Sequence, residues 1–209
     1  LKTGSWRSQT PHYHTRPAPC VSVCPAGNDV VGFVQALAKG DTQRAAGILA
    51  ESSPLAGICG RVCPAPCMEA CNRKDFDGAV NVRALERWIA DHAVVARRTG
   101  KIPTQLRDIG IVGGGPAGLS AAYFLARAGH NPTIYEAEPK LGGVLRTGIP
   151  EYRLERLALD REIRAIIDLG THVCSGSALK TNDLLRLAKR HEGVLIATGL
   201  QKPQGLEVP

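Results

Sequence analysis

The short apolar run from Ile109 to Val112 has the pattern of a parallel strand covered on both faces. After a glycine turn, Leu119, Ala122, Tyr123, Leu125 and Ala126 recur at helical spacing and give way at Gly129, and Pro132 to Tyr135 predicts a second strand. Further on, Leu157, Ile163, Ile166, Ile167 and Leu169 predict an apolar face for a helix over 155–169 that stops at Gly170. Thr171 to Cys174 reads as a third strand, with Cys174 a packed thiol. A helix near Asp183 to Arg190 leads to a buried strand over Gly193 to Ala197. Alternating strands and helices predict an α/β fold with a parallel sheet.

The amino-terminal half reads differently. Leu1 to Pro19, with Pro11, His12, His14 and Pro17, is an extended arm. Val30, Val31, Phe33, Val34, Leu37 and Ala38 form a helix capped by Asn28 or Asp29 and ended at Gly40. Asp41 caps a second helix over 42–51 that buries Ala45, Ala46, Ile48 and Leu49. Asn81 caps a third running to about Arg98, with Val82, Leu85, Ile89 and Ala93 on its buried side. Glu86 falls on that same face, as a salt-bridge partner of Arg83 or another arginine, or as a cluster ligand. The charged stretch Arg97 to Pro103 is a linker, so the chain divides into an arm (1–19), a helical domain (20–100) and an α/β domain (101–209).

Between the first two strands, Gly113-Gly114-Gly115-Pro116-Ala117-Gly118 fits G-x-G-x-x-G where a helix begins. Gly113 permits the tight turn, Gly115 lets a pyrophosphate approach, and Gly118 lets helix and strand pack. The free amides at the helix start attract phosphate. Glu136 ends the second strand 18 residues beyond Gly118, where an acid accepts the ribose hydroxyls of an adenosine half. A second glycine-rich stretch follows at once, Leu141-Gly142-Gly143-Val144-Leu145-Arg146 and Thr147-Gly148-Ile149-Pro150. Such a loop suits a longer two-headed ligand, so FAD is favoured over NAD.

The cysteines carry the other chemistry. Cys20-x3-Cys24-Pro25 is matched by Cys59-x3-Cys63-Pro64-x2-Cys67-x3-Cys71. Pro64 and Pro66 argue against a long helix, so the second group reads as a loop wrapped around something that needs thiolates. Repeated Cys-Pro endings and six clustered thiols favour an iron–sulfur cluster. A zinc knot and packed free thiols are the competing arrangements.

Composition narrows the class. A 209-residue chain with 44% hydrophobic residues supports a real core. No apolar run of about 18 residues and no signal segment occurs, which points to the cytoplasm. Seven cysteines there point to metal or redox chemistry over disulfides. A formal charge of +7 with scattered basic residues and 4% aromatics argues against nucleic acid and for an acidic protein partner.

Taken together, CxxxCPAG with FVQALAKGD, PLAGICGRVCPAPCMEACNR, VNVRALERWIADHA, VGGGPAGLSAAYFLARAGH, GGVLRTGIPEYRL and GVLIATGLQKP resemble, in order, the family of the small subunit of NADPH-dependent glutamate synthase and the amino-terminal part of dihydropyrimidine dehydrogenase. The resemblance runs from Cys20 to Pro209. It implies an oxidoreductase subunit that passes electrons between NAD(P)H, FAD and [4Fe-4S] clusters to other subunits or an acidic ferredoxin-like protein. The alternative is a relay or assembly module that binds FAD and a cluster but meets no nicotinamide.

Carried over by position, the resemblance implies Cys24, Cys63 and Cys67 as ligands of one cluster, with Glu86 at the fourth position. Cys20 and Cys71 match two ligands of another cluster, whose remaining positions fall on His12 and Thr15. His12, His14 or Cys59 then stands in for a thiolate, or the second site is degenerate. Gly143, Arg146, Ile149 and Pro150 lie against FAD by the same pattern, Val173 meets the adenine, and Ala197-Thr198-Gly199 closes over the pyrophosphate. Because a second dinucleotide module follows that point in the family, the chain is expected to be part of a longer polypeptide whose NAD(P)H site lies outside these residues. The sheet is therefore incomplete.

Overall fold

The computed structural model describes residues 16–93 and 106–200. The linker stretch Arg97 to Pro103, and the arm with His12, His14 and Thr15, lie outside the described residues. Six helices come first: α1 (Pro19–Ser22), α2 (Val30–Ala38), α3 (Thr42–Ser52), α4 (Ala56–Val62), α5 (Pro66–Glu69) and α6 (Val82–His92). Asp29, Asp41 and Asn81 each accept a hydrogen bond from the amide three residues on, so all three expected caps form. Their apolar faces meet in one core around Val30, Phe33, Leu49, Val82 and Ile89.

The α/β part follows: β1 (Asp108–Val112), α7 (Pro116–Arg127), β2 (Asn131–Tyr135), α8 (Val144–Thr147), α9 (Arg156–Ile167), β3 (His172–Cys174), α10 (Thr181–Arg190) and β4 (Gly193–Ile196). The strands form one parallel sheet in the order β3-β2-β1-β4, with Ile111 opposite both Ile134 and Leu195. Successive residues of β1 point to opposite faces. Ile111 joins the core formed with α7 and α9, and Val112 joins Tyr135 and Leu187 beneath α10.

The structure corrects five expectations. The 59–71 stretch is not one loop, since α4 carries Cys59 and α5 carries Cys67. Pro66 is tolerated because it opens α5, where its missing N–H costs nothing. The Asn81-capped helix ends at His92 instead of near Arg98, because Ala93 leaves the helical conformation for extended backbone at φ −112° and ψ 144°. The arm ends earlier than residue 19, because Pro19 opens α1 and draws Cys20 into a helical turn. Leu157 is 83% exposed, and Leu154 and Leu159 are buried in its place. Finally, β3 and β4 are the two edge strands, which leaves Cys174 exposed and β4 only half covered.

The two halves share a core. Leu55 and Ile58 of the α4 region pack with Leu119, Leu159, Ile163 and Ile166 of the α/β part. Across this junction Tyr123 and Arg127 of α7 both donate to the Ala50 carbonyl. Glu162 of α9 accepts from the amides of Gly57 (2.5 Å) and Ile58 (3.2 Å), supplying the cap that α4 lacks locally.

Candidate cofactor sites

The first site forms where β1 gives way to α7. Gly113 takes φ +108°, and a Cβ there would stand 2.3 Å from the Ala197 carbonyl oxygen. A Cβ at Gly118 would stand 1.9 Å from that of Gly113. Glycine is required at both positions, for conformation at one and for close packing at both. Pro116 opens α7 behind Gly115, and no side chain caps the helix. The second glycine stretch folds against this turn. Gly142 N donates to Gly114 O at 2.8 Å, and a Cβ at Gly143 (φ +48°) would come within 2.9 Å of Gly115 Cα. A Cβ at Gly115 would meet only Gly143 Cα, at 3.9 Å, so the two glycine loops pack backbone to backbone beside the uncapped amides of Ala117 and Gly118. Such a glycine floor admits a pyrophosphate.

Glu136 lies at the rim of that floor, 9% exposed. Its Oε2 accepts from Gly114 N at 2.6 Å and its Oε1 from Glu138 N at 2.9 Å. Ala197, Thr198 and Gly199 follow β4 directly beside Gly113, with Ala197 N donating to Val112 O at 2.7 Å. Val173 is the central residue of β3, opposite Ile134.

Arg146 is already engaged, donating from Nε to Leu141 O at 2.8 Å and pairing with Asp160. Ile149 packs on the shared core, and Pro150 is exposed. Arg156 holds this segment in place by donating to Leu145 O at 3.1 Å and Ile149 O at 2.8 Å. Sequence reasoning missed Arg156. Its place in the first turn of α9, next to the expected Glu155 start, was the available signal.

The second site lies among the helices. All described cysteines are free thiols. Cys24 follows α1, Cys63 ends α4, and Cys67 sits in α5. Between the last two, Ala65 adopts the left-handed φ of 59° and donates its amide to Cys63 Sγ at 3.3 Å. The Cys67 thiol is raised first by burial and then by electrostatic interaction with Glu86, Cys24 and Cys63, so the four groups share one electrostatic neighbourhood.

Glu86 is 7% exposed and is itself raised by burial, against which Asn28 Nδ2 donates to its Oε1 at 2.9 Å. Arg83 is not its partner, because that guanidinium donates to Cys63 O at 3.1 Å. Burial pushes Cys59 up to about 11, with Glu86 and Cys63 adding to the rise and the Ser53 side chain opposing it. Cys71 turns elsewhere: the backbone amides of Val80 and Arg73 lower its thiol. Cys20 sits in α1, which packs on α5.

Among the described residues no three His, Cys, Asp or Glu side chains close to the spacing of a single metal ion. A [4Fe-4S] cube is larger and takes its ligands at separate corners. The grouped thiols, the buried carboxylate and the amide donated to Cys63 Sγ fit that requirement.

Comparison with known proteins gives the same two parts. Residues 13–98 match the family model described as dihydropyrimidine dehydrogenase domain II, 4Fe-4S cluster, and residues 111–186 match an NAD(P)-binding Rossmann-like domain. The chain is 36% identical to the NADPH-Fe(3+) oxidoreductase subunit beta of Geobacter sulfurreducens, over 91% of this chain and 30% of that protein. It is 36% identical to the NADP(+)-dependent formate dehydrogenase subunit beta of Moorella thermoacetica (88% and 29%). It is 35% identical to the NAD-dependent dihydropyrimidine dehydrogenase subunit PreT of Escherichia coli O157:H7 (90% and 47%). The chain spans less than half the length of each of these relatives. The expected family resemblance, the α/β class with its helical iron–sulfur part, and the [4Fe-4S] and dinucleotide cofactors are borne out. No helix among the described residues is long and apolar enough to cross a membrane.

Proposed function

We propose that this chain, a relative of the iron–sulfur flavoprotein subunits typified by dihydropyrimidine dehydrogenase and glutamate synthase, carries the FAD and the first cluster of an NAD(P)H-dependent oxidoreductase. The observation that carries the reading is the shared core. The glycine cradle and the thiol group stand on elements locked together by Leu55, Ile58 and Glu162, as a fixed path between two redox groups requires.

In this reading Ala117 and Gly118 offer amides to the pyrophosphate, and Gly113, Gly115 and Pro116 shape the turn. Glu136 accepts from the ribose hydroxyls. Gly143 and Arg146 form the far wall, Arg146 by fixing the loop through Leu141 and Asp160. Ile149 and Pro150 lie towards the flavin ring, Val173 towards the adenine, and Ala197-Thr198-Gly199 closes the cradle. FAD fits better than NAD because the second glycine loop is bonded to the first and extends the floor. FAD and the cluster supply hydride acceptance and single-electron transfer when bound, so no residue of the chain need act as acid or base.

Cys24, Cys63, Cys67 and Glu86 hold the cluster. Cys20 and Cys71 are available to a second, and Cys59 remains a half-buried thiol beside the first. The domains divide at about residue 100, the NAD(P)H site lies outside these residues, and electrons leave to a partner subunit or a ferredoxin-like protein in the cytoplasm. Anaerobic addition of NADH or NADPH to the purified holoenzyme, with the segment or subunit that carries the nicotinamide site present, tests the reading. Bleaching of the flavin absorbance is expected, and a flavin that stays oxidised with both nucleotides assigns the chain to a relay without a nicotinamide partner.

A further inference from the structure

The segment leaving Cys24 places an amide side chain in the middle of the helical core. Asn28 is 2% exposed, and a polar group so buried is costly unless its partners are fixed. Both ends of the amide are engaged. Nδ2 donates to Glu86 Oε1 at 2.9 Å, and Oδ1 accepts from Ser52 Oγ at 2.7 Å. A carboxylate bound to metal can only accept, so Nδ2 must face Glu86, and Oδ1 is left to the Ser52 hydroxyl as donor. Three elements thereby meet along one buried polar line: the approach to α2, the end of α3 and the centre of α6.

No cation takes part in that line among the described residues, since Arg83 is spent on the Cys63 carbonyl. An apolar side chain at position 86 would pack with less penalty than a buried acid that has no ion pair. The hydrogen bond from Asn28 also engages one carboxylate oxygen only, and Glu86 shares its electrostatic surroundings with Cys59 and Cys67.

We infer that Asn28, itself oriented by Ser52, is a positioning residue for Glu86. It holds Oε1 so that Oε2 is presented to the cluster carried by Cys24, Cys63 and Cys67. The inference rests on the proposed role of Glu86 as fourth ligand and adds to it the device that aims the carboxylate. Hydrogen bonds to ligating groups orient them and tune the metal.

Three variants of the anaerobically purified holoprotein test this: Glu86→Ala, Asn28→Ala and Ser52→Ala. The readouts are iron content, iron retention against a chelator, the EPR spectrum of the reduced protein and the cluster potential. Glu86→Ala is expected to change the spectrum and the potential. Asn28→Ala should retain the cluster but hold iron about 10- to 100-fold less well. Its altered spectrum should come with a more negative potential, because the carboxylate loses its N–H donor and becomes the stronger electron donor.

Ser52→Ala should move both in the same direction by less. If Asn28→Ala lowers thermal stability alone, with spectrum and potential unchanged while Glu86→Ala alters both, the positioning role is overturned and the ligand assignment stands. If Glu86→Ala leaves both unaltered, the ligand assignment itself fails and the inference with it. Should Asn28→Ala not fold, an unchanged spectrum and potential in Ser52→Ala overturns the positioning role.

Discussion

Glu136 Oε2 accepts a hydrogen bond from Gly114 N at 2.6 Å, joining the end of β2 to the glycine turn that follows β1. The acid is thus part of the turn before any ligand arrives, and it orders the loop whose floor a pyrophosphate would cross. Glu136→Ala is expected to weaken FAD binding by roughly 1–3 kcal/mol, through an unpaired ribose hydroxyl and a loosened turn. Calorimetry with the apoprotein checks this, and unchanged affinity would remove Glu136 from the site.

Gly143 faces Gly115 across the floor with φ +48°, and a Cβ there would lie 2.9 Å from Gly115 Cα. Gly143→Ala should therefore displace the second loop and abolish stoichiometric flavin binding. Iron content should stay as in the parent, because the helical core around the cysteines holds no residue of this loop. A variant that still purifies with flavin would show that the second loop is not part of the cradle.

These two positions also show what was legible in the sequence. The turn, α7, β2 and the terminal acid are fixed by local patterns: a period change, glycines where φ or packing demands them, and an acid at a set distance. Asp29, Asp41 and Asn81 announced their helices equally plainly. What was not legible depends on residues far apart in the chain. Glu162 caps α4 from more than 100 residues away, and Asn28 finds Glu86 across 58, so neither leaves a local signal. The exposure of Cys174 follows from β3 being an edge strand, which its three residues do not encode.

Burial raises the Glu162 carboxyl from 4.5 to about 7, against the Gly57 and Ile58 amides and the charges of Arg161 and Arg61, which pull it down. A raised carboxyl favours the protonated fold. Its contribution is complete below 4.5 and is lost as pH rises through 7, a change on the order of 1–3 kcal/mol. Glu162→Gln should remove this fall. Unfolding free energies measured between pH 4.5 and 8 should show the parent falling relative to the Glu162→Gln variant as pH rises. Parallel curves would show that Glu162 is ionised throughout.

Cys59 and Cys67 have equal standing in the spacing of the sequence, but the proposed cluster uses Cys67 alone of the two. Cys59 is half-buried in α4, interacts with Ser53 and is raised to about 11, whereas Cys67 is buried and interacts with Cys24 as well as Cys63 and Glu86. Cys59→Ser is expected to keep the full iron content and Cys67→Ser to lose at least half of it. The reverse order in an iron assay would reassign the ligands.

In the proposed function one chain holds a flavin and an iron–sulfur cluster on a single packed core. Cofactor analysis of the anaerobically purified protein tests it most directly. About one FAD with at least about four iron and four sulfide per chain is expected. One zinc per chain, without acid-labile sulfide or flavin, would contradict it.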